Sequence, residues 1–194
     1  MSISIKEVKT KKELKKFIRF QYSLYKGNPY WCPPIRMGEM DTLKWGSPSF
    51  DYCDAKYFLA YKENKIVGRV AAIVHKKSNE IWNEKRIRFG WIDFIDDIEV
   101  TKALIKAVED WGKELGLHEI HGPLGFTDMD NEGMLIKGFE ELSNVFSIYN
   151  YPYYVEHMEK LGFRKDVDWL QNEFTVPKQI PEKIEKMAKM VEER

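Results

Sequence analysis

The sequence contains few cysteines and no excess charge of either sign. Because Cys32 and Cys53 are the only cysteines, free thiols and a cytoplasmic location are favoured over a secreted, disulfide-bonded protein. Lys plus Arg number 31 and Asp plus Glu also number 31, which argues against nucleic acid as a partner, since phosphate binding usually needs a basic surplus. No apolar run reaches membrane-spanning length, so no membrane partner is predicted.

The sequence also contains no motif for a nucleophile elbow, a phosphate-binding loop or a dinucleotide site. The two histidines in His118-x-x-His121 would face opposite sides of a predicted strand, and neither cysteine is spaced to complete a zinc site. The segment 128–133 superficially resembles a calcium loop, but Phe139 stands where the bidentate glutamate should be. No metal is therefore predicted.

The hydrophobic pattern predicts an α/β (α+β) domain with a mixed, mostly antiparallel sheet flanked by helices. Thr10 and Glu13 have the spacing of a capping box, and the segment 100–115 carries an apolar stripe of helical period. The predicted strands are 3–8, 57–61, 66–75, 87–95, 118–124 and 163–176. The predicted helices are 10–27, 37–43, 100–115, 155–161 and 181–194.

Two segments resemble the GNAT N-acetyltransferase superfamily. The run ALIKAVEDWGKELGLHEI at 103–120 is similar to its central helix and following strand, and MEKLGF at 158–163 is similar to the end of a later helix. Segments 122–126, 132–135 and 149–154 further resemble a divergent bacterial group whose members often carry two such halves. The resemblance implies a GNAT-like acyltransferase domain over 1–177 and a C-terminal amphipathic helix over 178–194, a possible connector to a second half.

The function implied by this resemblance is transfer of an acetyl or other acyl group from CoA to a small amine. The alternative is a non-catalytic, degenerate GNAT domain that serves as a structural or ligand-binding half of a larger protein. The expected partners are a small-molecule amine and a second GNAT-like half or a second copy in a homodimer.

The turn that should hold the CoA pyrophosphate departs from the family pattern. GNAT enzymes bind this anion at the start of the central helix in a turn of the form Q/R-x-x-G-x-G/A, whereas the chain has Asp96, Glu99 and Thr101 at the three signature positions. A carboxylate about 6 Å from a phosphate costs roughly 3 kcal/mol at an effective dielectric constant near 20. Either Asp97 and Glu99 replace the anion, or Lys102 and displaced side chains still allow CoA to bind. The cofactor contacts implied by the resemblance are Phe94, Ile95, Thr101, Lys102 and Asn150.

The candidate catalytic residues are Asp93, Tyr153 and Tyr154. Asp93 lies on the strand before the central helix, where apolar neighbours would raise its pKa and suit it to act as a general base, unless it is an exposed strand-end carboxylate. The family's proton-donating tyrosine corresponds to Met158, which has no proton to give. Tyr153 or Tyr154 would take its place, or else both pack at the edge of the core.

An acidic segment is a candidate substrate site. Asp128, Asp130 and Glu132 lie close together in the sequence and would attract a cationic amine. The alternative is an acidic turn without a binding role.

Overall fold

A computed structural model describes residues 2–144, 147–176 and 178–192. The chain forms two compact units, Met1–Arg164 and Lys165–Arg194. The predicted domain boundary at 177/178 stays a prediction. None of the described helices combines the length and the apolar character needed to cross a bilayer.

The first unit contains a five-stranded sheet in which the strands follow one another in chain order. Neighbouring strands are antiparallel except the last pair, which is parallel, so the predicted mixed, mostly antiparallel sheet is confirmed. The strands are β1 (Ser4–Glu7), β2 (Cys53–Lys62), β3 (Lys65–His75), β4 (Arg86–Phe94) and β5 (Glu119–His121). Glu63 and Asn64 both have positive φ, which suits the tight turn of the β2–β3 hairpin.

Helices flank this sheet, as the sequence predicted. They are α1 (Lys11–Leu24), α2 (Arg36–Leu43), α3 (Lys76–Ile81), α4 (Ile98–Glu114) and α5 (Tyr153–Lys160), with a short 3-10 helix at Pro48–Asp51. The predicted capping box at the start of α1 is confirmed, because the Glu13 amide donates to Thr10 Oγ1 and the Thr10 amide donates to Glu13 Oε2. The second unit contains α6 (Glu182–Glu192).

The core lies on both faces of the sheet. Val70 and Ala72 of β3 pack with the α4 side, whereas Ala71 and Ile73 pack with the α1 side. Because successive strand residues point to opposite faces, a strand covered on both faces must be apolar throughout. This explains the nearly continuous apolar run of β3.

The predicted strand 163–176 is wrong. Its described residues form no strand, and the large apolar side chains Trp169, Leu170 and Phe174 are exposed. A strand needs a hydrogen-bonded neighbour, and alternating apolar residues alone do not supply one. Other elements have bounds that differ from the prediction: the strand predicted at 57–61 is Cys53–Lys62, the strand predicted at 118–124 is only Glu119–His121, and the helix predicted at 155–161 is Tyr153–Lys160. The short helix α3 was not predicted.

A β-bulge interrupts the pairing of β3 with β4. Arg69 pairs with Asp93 and Ala71 pairs with Gly90, so two steps along β3 correspond to three along β4. Trp91, within the bulge, has a φ of 43°, which is unusual for a residue other than glycine. Bulges re-aim the side chains beside them, and here Asp93 is placed directly beside Arg69.

Candidate functional site

A buried ion pair joins the bulged strand to its neighbour. The Nε and Nη2 atoms of Arg69 each lie 2.7 Å from Asp93 Oδ2, and Nη1 donates to the Phe17 carbonyl at 3.1 Å. Arg69 is 2% exposed and Asp93 is 7% exposed. Asp93 is therefore an interior carboxylate whose charge is balanced by a guanidinium.

Two tyrosines use the other oxygen of the same carboxylate. The hydroxyl groups of Tyr25 and Tyr154 donate to Asp93 Oδ1 at 2.9 and 3.1 Å, and they lie 2.9 Å from each other. Burial, with the nearby Asp93 charge, raises the pKa of both tyrosines well above 10. Both hydroxyls therefore keep their protons at neutral pH.

Sequence reasoning missed Tyr25 as a member of this cluster. It directly follows the last residue of α1 and continues the apolar spacing of that helix, and the only sign of its role in the sequence is its polar hydroxyl group. A buried tyrosine hydroxyl usually finds a partner, so this signal predicts a partner without identifying it. Asp93 is 68 residues away in the chain.

The free edge of β4 is covered by tyrosines from α5. The Ile95 amide donates to the Val67 carbonyl on the β3 side at 3.0 Å. Phe94 has its backbone groups on the opposite side, where its amide donates to the Tyr154 hydroxyl at 3.2 Å and its carbonyl accepts from Tyr153 at 2.7 Å. Burial raises the pKa of Tyr153. The predicted cofactor contacts Phe94 and Ile95 thus have their backbone groups paired within the chain.

A cavity of about 390 Å³ opens beside the Asp93 cluster. Its walls come from α1, the loop after α1, α2, strands β3 and β4, the segments 123–134 and 147–150, and α5. Asp93, Tyr154, Asp130 and Asn150 all line it. A cavity of this size suits a small molecule.

Asp130 and Asn150 both hold loops that form the cavity wall. Asp130 accepts from the Thr127 amide at 3.0 Å, and burial raises the pKa of its carboxyl group. Asn150 accepts from the Leu135 amide at 2.6 Å and donates to the Leu135 carbonyl at 3.2 Å. The buried Asn150 side chain thereby pairs with both backbone groups of Leu135.

The cavity lining has an acidic balance. Its charged residues, among those described, are Glu39, Asp93, Asp130 and Arg69. The Arg69 charge is balanced by Asp93, which leaves two carboxylates without a cation in the lining. Such a cavity favours a cationic ligand over an anionic one.

Comparisons with known proteins give two relatives of greater length. No protein-family model matches the chain. The chain is 34% identical to Protein YghO of Escherichia coli over 165 residues. The aligned region covers 83% of this chain and 42% of the relative. The chain is also 30% identical to the bacterial ceramide synthase of Caulobacter vibrioides over 190 residues. That aligned region covers 96% of this chain and 49% of the relative. The chain spans about half the length of these curated relatives.

Solved acetyltransferase structures share the fold. One is a predicted acetyltransferase with acetyl-CoA from Clostridium acetobutylicum, with a TM-score of 0.52, 11% identity and coverage of 89% of this chain and 96% of that one. Another is the aminoglycoside acetyltransferase HMB0005 from an uncultured soil metagenomic sample, with a TM-score of 0.52, 16% identity and coverage of 90% and 100%. The chain has the GNAT fold.

In this GNAT fold the amino end of α4 is capped by its own chain. Asp97 Oδ1 accepts from the Glu99 amide at 3.1 Å, and Asp97 Oδ2 lies 2.8 Å from Lys62 Nζ. The hydrogen bond from Lys62 holds the pKa of Asp97 below its usual value. A carboxylate thus already occupies the end of the helix that attracts anions.

Thr101 and Lys102 lie at the same end of α4 and differ in accessibility. Thr101 is fully buried, and its Oγ1 lies 2.8 Å from His157 Nδ1, while His157 Nε2 lies 3.1 Å from Asp96 Oδ1. Lys102 is exposed. Neither residue lines the cavity described above.

The predicted site residues therefore fall into three places in the GNAT fold. Asp93, Tyr154, Asp130 and Asn150 meet at the cavity, with Tyr153, Phe94 and Ile95 beside it on the edge of β4 and α5. Thr101 and Lys102 lie at the end of α4. Asp128 is exposed and Glu132 is half-buried, and neither residue lines the cavity. Burial raises the pKa of Glu132. Within the described residues, no three potential metal ligands are grouped to hold an ion.

Proposed function

We propose that this domain is an acyltransferase that transfers an acyl group from CoA to the nitrogen of an amine bound in the acidic cavity. The observation that carries the proposal is the position of this cavity, which ends at Asp93 beside the edge of β4 in a GNAT fold. The names of the compared proteins support the reaction class. One is a ceramide synthase, and a ceramide is an amide of a long-chain amine; the two solved structures are acetyltransferases.

In this proposal Asp93 acts mainly through the two tyrosines that it holds. Its Oδ1 fixes the hydroxyls of Tyr25 and Tyr154, while Arg69 holds the carboxylate in place through its Oδ2. Tyr154 and Tyr153 are the proposed proton donors, because both are protonated at neutral pH and both reach the backbone of Phe94. Asp128, Asp130 and Glu132 are the proposed acidic residues that attract the amine, with Asp130 inside the cavity.

The end of α4 does not fit a bound pyrophosphate. Asp97 already accepts the Glu99 amide there and is paired with Lys62. CoA would supply the activated acyl group as a thioester. The proposed contacts for it remain Phe94, Ile95, Thr101, Lys102 and Asn150, and a cytoplasmic location accords with the use of CoA.

The closed end of α4 favours a second candidate function, a GNAT-like domain that binds a ligand without acyl transfer. Melting the protein with and without millimolar acetyl-CoA separates the two. A ligand at a hundredfold over its Kd stabilises by about 2.7 kcal/mol, which would raise Tm by roughly 5–10 °C in a domain of this size. Asp97→Asn is the paired variant, since it removes the carboxylate that competes with a phosphate. No shift in either protein, together with no acylated amine by mass spectrometry, would contradict the acyltransferase.

We also propose that the natural partner of this unit is a second GNAT-like half. The supporting observation is that the chain spans about half of the relatives it matches. A homodimer is the alternative. Sedimentation of the chain alone distinguishes the two arrangements, because a homodimer has twice the mass of one chain, whereas a chain that pairs only with a second half stays a monomer.

A further inference from the structure

The mouth of the cavity carries large apolar side chains that face solvent. Ile35 and Met129 both line the cavity, yet they are 71% and 83% exposed. Single exposed apolar residues are common on protein surfaces, but these two line one cavity, whose lining also includes the apolar residues Pro34 and Met134. We call Ile35 and Met129 the rim.

The interior behind the rim carries the unbalanced negative charge. Glu39 accepts hydrogen bonds from two neutral donors, Gln21 Nε2 at 3.2 Å and Trp91 Nε1 at 3.3 Å, which orient its carboxylate at the cavity wall. Asp130 is held by the Thr127 amide. A cation bound in this cavity would offset the cost of their partial burial.

We propose that the amine taken by this cavity is amphiphilic, with its ammonium group in the acidic interior of Glu39 and Asp130 and an apolar tail lying over Ile35 and Met129. This inference rests on the proposed role of the cavity as the site of the amine. The acidic interior and the apolar rim are separate features of one opening, and an amphiphilic amine is the ligand that complements both. A short polar amine would leave the rim in water.

The test is binding of n-alkylamines of increasing length, measured without any acyl donor by the fluorescence of Trp31 and Trp91, which line the cavity. Each fully buried methylene tightens binding about fourfold, and a half-buried one about twofold. From butylamine to octylamine, Kd should therefore fall between about 15-fold and about 250-fold. Octanol, which has the same tail and no charge, should bind at least tenfold more weakly than octylamine.

Variants separate the two parts of the site. Ile35→Ser and Met129→Ser should reduce the gain in affinity with chain length and leave butylamine binding unchanged. Ile81→Ser is the matched control, because Ile81 is 65% exposed on α3 and does not line the cavity. Glu39→Gln should weaken all the amines by a similar factor, about tenfold for loss of one charged contact, and leave the dependence on chain length intact.

The inference is overturned by a Kd independent of chain length, by octanol binding as tightly as octylamine, or by an equal loss in Ile81→Ser. Substitution of the rim could also lower binding to lipid vesicles and leave the octylamine Kd unchanged. The rim would then be a membrane-contacting surface, and this result overturns the inference as well. Acyl transfer is assayed separately. A tail-dependent amine site without any acylated product would contradict the proposed function and leave the ligand class standing.

Discussion

Replacing Arg69 with methionine leaves the Asp93 carboxylate buried without its cation. Two Arg69 nitrogens lie 2.7 Å from Asp93 Oδ2, and both residues are almost fully buried. Breaking such a pair by removing one partner typically costs about 3–5 kcal/mol, because the remaining charge keeps its desolvation penalty. For a domain of this size that corresponds to a fall in Tm of roughly 6–20 °C.

The decisive measurement is a double-mutant cycle followed by urea unfolding. Arg69→Met and Asp93→Asn should each destabilise by about 3–5 kcal/mol, and the double variant should cost about as much as one of them, because no buried charge remains. Asparagine retains an oxygen that accepts from the tyrosines, so the cycle isolates the charge. Lys106→Met removes an exposed ion pair on α4 and should change stability by no more than about 0.5 kcal/mol. If the single costs simply add, the two charges are not coupled and the reasoning fails.

Three further predictions follow from individual contacts. The pKa of Asp97 is lowered in the folded protein, so the stabilisation from its contact with Lys62 is present above about pH 4 and is lost as the pH falls below that value. Asp97→Asn should abolish this part of the pH dependence of stability. Unfolding measured over an acid titration of both proteins checks it. Tyr154→Phe should destabilise more than Tyr25→Phe, by about 1 kcal/mol in urea unfolding, because the Tyr154 hydroxyl also accepts a backbone amide; equal losses would contradict this. Cys53, whose pKa burial raises to about 11, should react with a thiol reagent at pH 7.5 only after unfolding, and rapid labelling of the native protein at this position would show that it is accessible.

Local patterns were enough to predict most of the sheet and the helices around it. The capping box of α1 and the stripe along α4 depend on residues three or four apart, so they are visible in one stretch of sequence. The nearly continuous apolar run of β3 predicted a strand, and the structure shows that this strand is covered on both faces. The segment 163–176 shows the limit of such patterns, because an alternating segment becomes a strand only beside another strand.

The sequence by itself therefore determined most of the helices and strands, although not α3 or the irregular segment 163–176, and it identified Asp93, Tyr153 and Tyr154 as candidate site residues. Only the tertiary structure brought Tyr25 and Arg69 to Asp93, closed the edge of β4 with hydroxyl groups, and paired Asp97 with Lys62. The difference is physical. Secondary structure is set by backbone periodicity over a few neighbouring residues, whereas the partners of a buried charge are chosen by how distant segments pack around a single bulge in one strand.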